Sequence, residues 1–309
     1  MKSFRYIFIF GIVLLFFSCN RFKGSQEIPA YLKIEPWDFT TNYEVYGAAT
    51  NAITDAWVYI DGNLHGCFEY KNHDDGKYVL VPILDKGDHK VRLYPGVKLN
   101  GISSTRIQYP FYKPYECRRE LVEGEIETLT PSTTYYSIDS TLMRIKMMED
   151  FEEINNIRIY RIDSTYAELH PIDHNADTNA WLDPIDPLNH YRSGHVHLGD
   201  SIRKMGLASG ELYNLPNVGN YILMEMDYKC NAEILIGMYI WSSQQGLMNK
   251  ELYYLKSANN WKKVYINFSP TVTENTSATY FKFYLRGAVE EGGEADFYFD
   301  NIKLIYVDN

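Results

Sequence analysis

From Ile28 onward the apolar residues fall in short runs that alternate with polar ones and stop at turn signals. Residues 57–60 (Trp-Val-Tyr-Ile) read as a strand, and Asp61-Gly62 behind them is a hairpin signal, so 64–70 is the returning strand. Residues 72–76 read as a loop, and 78–84 and 89–93 as strands around the turn Asp85-Lys86-Gly87-Asp88. A second segment begins near Ile138. Within it Phe151-Glu152 suits an early strand or a short helix, and 169–188, rich in Asp, Asn and Pro, reads as a long loop. Firm alternation then returns at 221–230, 234–241, 261–268, 279–286 and 296–307, with no competing helical period. Many short strands at this spacing imply a sandwich or jelly roll. The expectation is an all-β chain of two β-sandwich domains, a small sandwich over 29–136 followed by a jelly roll over 137–309.

The alternation also sorts side chains by face. In 221–230, Ile222, Met224, Met226, Tyr228 and Cys230 form the core face, leaving Glu225 and Asp227 on the other. In 234–241 the isoleucines and Met238 point inward, with Tyr239 and Trp241 opposite. In 280–286, Phe281, Phe283 and Leu285 go inside, leaving Lys282, Tyr284 and Arg286 outside. A sheet face that combines Trp and Tyr with Asp, Glu, Lys and Arg can stack sugar rings and bond their hydroxyls. Tyr239, Trp241, Tyr284, Arg286, Glu225, Asp227 and Lys282 are therefore the candidate ligand-binding residues. The competing reading is a solvated face with strand-favouring tyrosines. A one-residue error of phase would send Trp241 into the core.

The first eighteen residues change the picture of location. Lys2 and Arg5 precede an apolar run from Tyr6 to Phe17, broken only by Gly11. A dozen residues fall short of the ~20 that span a bilayer, so 1–18 reads as a signal peptide. Its end, Leu15-Phe16-Phe17-Ser18-Cys19, resembles the bacterial lipoprotein signal, although Phe16 and Phe17 are bulkier than that pattern usually holds. The resemblance implies palmitate and further acyl chains on Cys19, a polar tether over 19–28 and a place at the outer membrane, with the membrane face left open. An ordinary signal peptide that contains a cysteine is the alternative.

Composition narrows the partners. A formal net charge of −10 argues against nucleic acid. Aromatics at 15%, including 27 tyrosines, favour strands. Besides Cys19 there are Cys67, Cys117 and Cys230, an odd set that allows at most one disulfide; Cys67–Cys117 is the pair within the first domain, and Cys230 reads as a buried free thiol.

Two stretches resemble known families. The run WVYIDGNLHG followed by DKGDHKVRLYPG looks like the small PEGA sandwich, over about forty residues. Further on, DFE, YILMEMDYK, WKKVYINF and FYFDNIKLIYV are similar to the galactose-binding-like jelly rolls used as carbohydrate-binding modules, over 150–307. The whole chain resembles Bacteroidota outer-membrane lipoproteins of unassigned function that join a small β-domain to such a module. The jelly-roll resemblance implies a structural calcium between the first and last strands, where Glu152 and Asp300 match; both acids capping strand ends in solvent is the alternative. No other cofactor is required.

No nucleophile elbow, phosphate loop, dinucleotide fingerprint or zinc helix is present. Two carboxylates would suffice for a glycoside hydrolase, but the acids cluster in loops and edges, so the expectation is not an enzyme. His195 and His197 share a strand face and, with His174, His190 or Asp173, suit either a metal or an ordinary strand pair. Asp173, Asn175, Asp177, Asn179, Asp183 and Asp186 suit calcium or a solvated linker; Thr178 and Pro184 stand where an EF-hand needs Gly and Glu. The reading is a non-catalytic, lipid-anchored envelope protein that binds a polysaccharide. The other reading is an accessory subunit of an outer-membrane protein assembly.

Overall fold

A computed structural model of the chain describes residues 27–216 and 219–308, and Cys19 with its leader lies outside them. The fold is all-β, with two sandwiches in series. In the first, one sheet has the order Ile126–Leu129, Ala30–Ile34, Gly76–Ile83, Lys71–His73. The facing sheet runs Asn63–Glu69, Asp55–Ile60, Gly87–Lys98, Arg106–Gln108, with Tyr115–Leu121 also paired to Gly87–Lys98. Alternate residues of these strands meet in one core, among them Leu32, Ile34, Val58, Ile60, Val81, Ile83, Val91 and Leu93. The hairpin at Asp61-Gly62 has φ of 49° and 86°, the paired left-handed conformation that an Asp-Gly turn accepts with little strain.

The second sandwich packs two antiparallel sheets. One has the order His170–Asp173, Arg192–Leu198, Ala295–Val307, Ile222–Cys230, Ala258–Asn267, with Met143–Glu149 added to Ala295–Val307. Because the first sandwich lies against its outer side, we call it the covered sheet. The other, the open sheet, has the order Ile159–Arg161, Lys204–Ser209, Tyr280–Ala288, Ile234–Ser242, Gly246–Leu255. The core between them holds Ile222, Met224, Met226, Ile236, Met238, Phe281, Phe283, Leu285, Phe297 and Phe299. The strand phases read from the alternation are therefore the phases of the fold. Cys230 is buried in this core, and Cys67 and Cys117 are free thiols.

Some local readings change. Phe151 is not in a strand: it is fully buried at a bend with φ 58°, just after Met143–Glu149. The short strand Lys71–His73 runs into the loop expected at 72–76, and the loop expected at 169–188 contains the short strand His170–Asp173. Lys204–Ser209 and Gly246–Leu255 are additional strands. The latter is an edge strand with polar residues at its centre, so it buries too little to alternate cleanly.

A third apolar cluster joins the sandwiches. Phe39, Val97, Leu99, Tyr109, Phe111, Tyr112 and Tyr135 from the first pack on Leu223, Tyr265 and Ile305 of the covered sheet. The Asn100 backbone N–H reaches the Tyr265 carbonyl at 2.6 Å. Burying an aromatic side chain contributes roughly 1.5–3 kcal/mol by removing it from water, and this cluster buries six: Phe39, Tyr109, Phe111, Tyr112 and Tyr135 from the first sandwich and Tyr265 from the sheet. This contact decides what each outer face of the jelly roll can do.

Candidate functional site

The seven candidate binding residues lie on opposite sides of the jelly roll. Glu225 and Asp227 sit on the outer face of the covered sheet, as their phase requires, but both are buried at the junction with the first sandwich. There they are cross-strand neighbours of Lys303, Tyr265, Lys263 and Asp300. Lys263 Nζ is 3.1 Å from the Glu225 carboxylate and 3.7 Å from that of Asp227, and Lys303 Nζ is 3.8 Å from Glu225. The Tyr135 and Tyr109 hydroxyls, arriving from the other sandwich, both donate to Glu225. Thr50 donates to Asp227 at 2.6 Å and accepts from Lys263 at 2.9 Å. Burial alone would raise the Glu225 carboxyl, yet the two lysines and two hydroxyls hold it below its usual range. Burial and the nearby Lys263 charge push Lys303 down to about 8. These residues are an interdomain charge cluster, not an exposed glycan surface; alternation reports the face and not what covers it.

The other five residues share the open sheet. Trp241 is 37% exposed, and Tyr239, Lys282 and Arg286 are half-buried. The register sets Trp241 opposite Tyr280 and Tyr239 opposite Lys282, and the Trp241 and Tyr280 rings lie parallel with centroids 6.1 Å apart. Arg286 donates to the Tyr239 hydroxyl at 2.6 Å and stacks over Tyr284 at 4.5 Å. Tyr284 needs correction as a contact residue: its phase is outward, but it is fully buried. It lies across Gly237, where an added Cβ would come within 2.1 Å of the tyrosine oxygen. Gly237 thus lets Tyr284 lie flat as a floor.

Beside this floor runs a groove of about 510 Å³, lined by Tyr160, Arg161, Glu211, Tyr239, Leu247, Tyr280 and Lys282 among others. A second depression of about 330 Å³ lies toward Tyr166, Tyr254 and Arg286. The groove offers flat aromatic surface between charged groups, with Lys282 3.5 Å from Glu211. Sequence reasoning missed Tyr160, Glu211 and Leu247, because their strands or loops carry no clear alternation. It also missed Trp181 and Trp261, whose rings meet edge to face at 5.6 Å on the covered side. The signal available for Trp261 was its outward phase beside Lys263.

Of the residues expected to hold metal, Glu152 is hydrogen-bonded through one oxygen, and its Oε2 is buried without a hydrogen-bond partner. Glu152 accepts from the backbone N–H groups of Tyr191 and Arg192 at 2.6 and 2.8 Å, and burial raises its carboxyl. Asp300 is buried rather than capping a strand end in solvent; burial, then the neighbouring carboxylates, raise it well above the ordinary range. His195 and His197 both approach one oxygen of Asp296 at 2.9 Å. In the Asp-rich segment, Asp173 pairs with Arg192 at 3.1 Å, and Asp177 accepts from the Tyr298 hydroxyl at 2.6 Å. Among the described residues no three His, Cys, Asp or Glu side chains converge in a way that would hold a metal ion.

No protein-family model matches the chain, and no curated protein matches its sequence. Among solved structures, a carbohydrate-binding module of the β-sandwich superfamily aligns with 90% of this chain and 99% of its own, at 12% identity and a TM-score of 0.38. The C-terminal family 22 carbohydrate-binding module of Clostridium thermocellum Xyn10B aligns with 53% of this chain and 92% of its own, at 14% identity and 0.34. A cyclase from Fischerella sp. TAU aligns with 53% and 97%, at 11% and 0.34. Overlaps this low carry neither a ligand nor an activity from one protein to another.

Proposed function

We propose that this chain is a non-catalytic glycan-binding protein of the cell envelope, held at the outer membrane by lipid on Cys19, and that the open sheet of its jelly roll is the binding face. The observation that carries the reading is the groove beside Tyr239 and Tyr280. It sets aromatic faces for the C–H side of a sugar next to Arg161, Glu211 and Lys282 for the hydroxyls. Hydrogen bonds exchanged with water contribute only ~0.5–1.5 kcal/mol each. Binding at one site is accordingly weak, and many copies anchored in one membrane gain by avidity.

A polysaccharide array followed by titration tests the reading. A ligand should bind the leaderless protein, and Trp241→Ala or Tyr239→Ala should weaken it about tenfold, equivalent to ~1.4 kcal/mol, without lowering the melting temperature by more than a few degrees. Absence of any ligand, together with capture of an outer-membrane protein through the exposed Leu247 and Tyr254 of the edge strand Gly246–Leu255, would favour the accessory-subunit reading. For the anchor, Cys19→Ala should release the protein from membranes or leave the precursor unprocessed. Retention at the normal processed size would sink that part.

A further inference from the structure

On the side away from the groove, where the two sandwiches meet, lies a cavity of about 270 Å³. Three separate parts of the chain build it. Residues 48–51 of the first sandwich form one wall, 181–185 a second, and Asp227, Trp261 and Lys263 of the covered sheet the floor. The two tryptophan rings stand at 78° to one another, so the cavity has two flat apolar surfaces nearly at right angles.

The walls are held in place by bonds that have no other evident use. Trp261 Nε1 donates to the Asn179 carbonyl at 2.9 Å, and the Trp181 backbone N–H donates to the Ser193 hydroxyl at 2.6 Å. Buried Asp183 accepts from the Ile185 backbone N–H at 2.7 Å and fixes the rim. Trp181 Nε1, by contrast, is buried with no hydrogen-bond partner. A buried indole N–H without an acceptor is unfavourable, and an acceptor supplied by a ligand would relieve it.

The floor indicates the kind of ligand. Asp227 and Lys263 lie 3.7 Å apart with the Thr50 hydroxyl bonded to both. Opposite charges side by side favour a neutral group that both donates and accepts over a free anion or cation. Flat apolar walls at an angle, a paired polar floor and a volume suited to one ring describe a saturated polyhydroxylated ring. We propose that this junction cavity is a second binding site, for a single neutral hexose residue such as the end of a glycan chain. The inference extends the glycan reading to a site that does not use the open-sheet groove.

The test labels the full chain with 5-fluorotryptophan and follows its five tryptophans by fluorine NMR, with the 181, 241 and 261 signals assigned by Trp→Phe variants. Glucose, galactose, mannose and N-acetylglucosamine are titrated separately, with choline as a cationic probe. At least one hexose should shift the 181 and 261 signals saturably and leave 241 in place. Trp181→Phe, which keeps an aromatic ring and loses the N–H, should weaken that hexose about tenfold. Thr50→Val, on the opposite wall, should also weaken it. The site is overturned if no hexose moves 181 or 261, or if Trp181→Phe and Thr50→Val both bind as tightly as the parent. Choline moving these signals where hexoses do not overturns the ligand class. An oligosaccharide that moves only 241 supports the open-sheet groove and overturns the cavity, so the two sites fail separately.

Discussion

Glu225 and Asp227 on the covered sheet stand in the same alternating phase as Lys282 and Arg286 on the open sheet, and by sequence pattern the two sets are interchangeable. In the fold Glu225 is buried under Tyr109 and Tyr135 of the other sandwich and Asp227 borders the cavity at the junction, while Lys282 and Arg286 line two solvent-facing depressions. The covered face uses its charges to seat one domain on another, each charge neutralised by a neighbour. Only the open face is left for a large ligand. A polar residue pointing away from a sandwich core is therefore evidence of function only once the neighbouring domain has been placed.

The comparison breaks most readily at Glu225. Glu225→Ala leaves Lys263 and Lys303 buried without their shared partner, and removing one member of a buried pair costs about 3–5 kcal/mol. Urea unfolding should show a loss of that size. Trp241→Ala on the open face should stay within about 1 kcal/mol of the parent. Equal losses at the two positions would mean that the faces do not differ as described.

Alkaline pH sharpens the same contrast. Folded Lys303 titrates near 8, below the ordinary 10.5, so between those values the unfolded chain keeps a proton that the folded chain has already released. Its contribution therefore makes stability rise with pH across that window. The buried tyrosine hydroxyls of Tyr109, Tyr112, Tyr135 and Tyr265 are raised by burial first and by Glu225 next, and they lower stability above about 10. Subtracting the melting profile of Lys303→Met isolates the lysine: the parent should gain relative to the variant from pH 8 to 10. A flat difference would place Lys303 in water.

Two smaller effects remain. The buried Tyr284 hydroxyl has no partner, so Tyr284→Phe should be neutral or slightly stabilising, with the melting temperature unchanged or raised by a degree or two. A clear loss would reveal a bond to that oxygen. Chelator should leave the melting temperature unchanged, because one Glu152 oxygen already accepts from two backbone N–H groups and no three ligating side chains converge among the described residues. A fall restored by millimolar calcium, and absent in Glu152→Gln, would instead put an ion between Glu152 and Asp300.

By itself the sequence determined which residues face a core. Period-two alternation places Ile236, Met238, Phe283 and Leu285 inside, and leaves Tyr239, Lys282 and Arg286 outside, because successive strand residues point to opposite sides whatever lies beyond. The Asp61-Gly62 turn was equally legible, since its left-handed backbone restricts which residues fit. Strands at the sheet edges, such as Gly246–Leu255, were not, because an edge buries little and carries a weak period. Tertiary structure alone decided that Glu225 and Asp227 are covered, that Tyr284 lies flat over Gly237, and that Trp181 meets Trp261. Each of these joins residues 47 to 177 positions apart through packing that leaves no trace in local pattern.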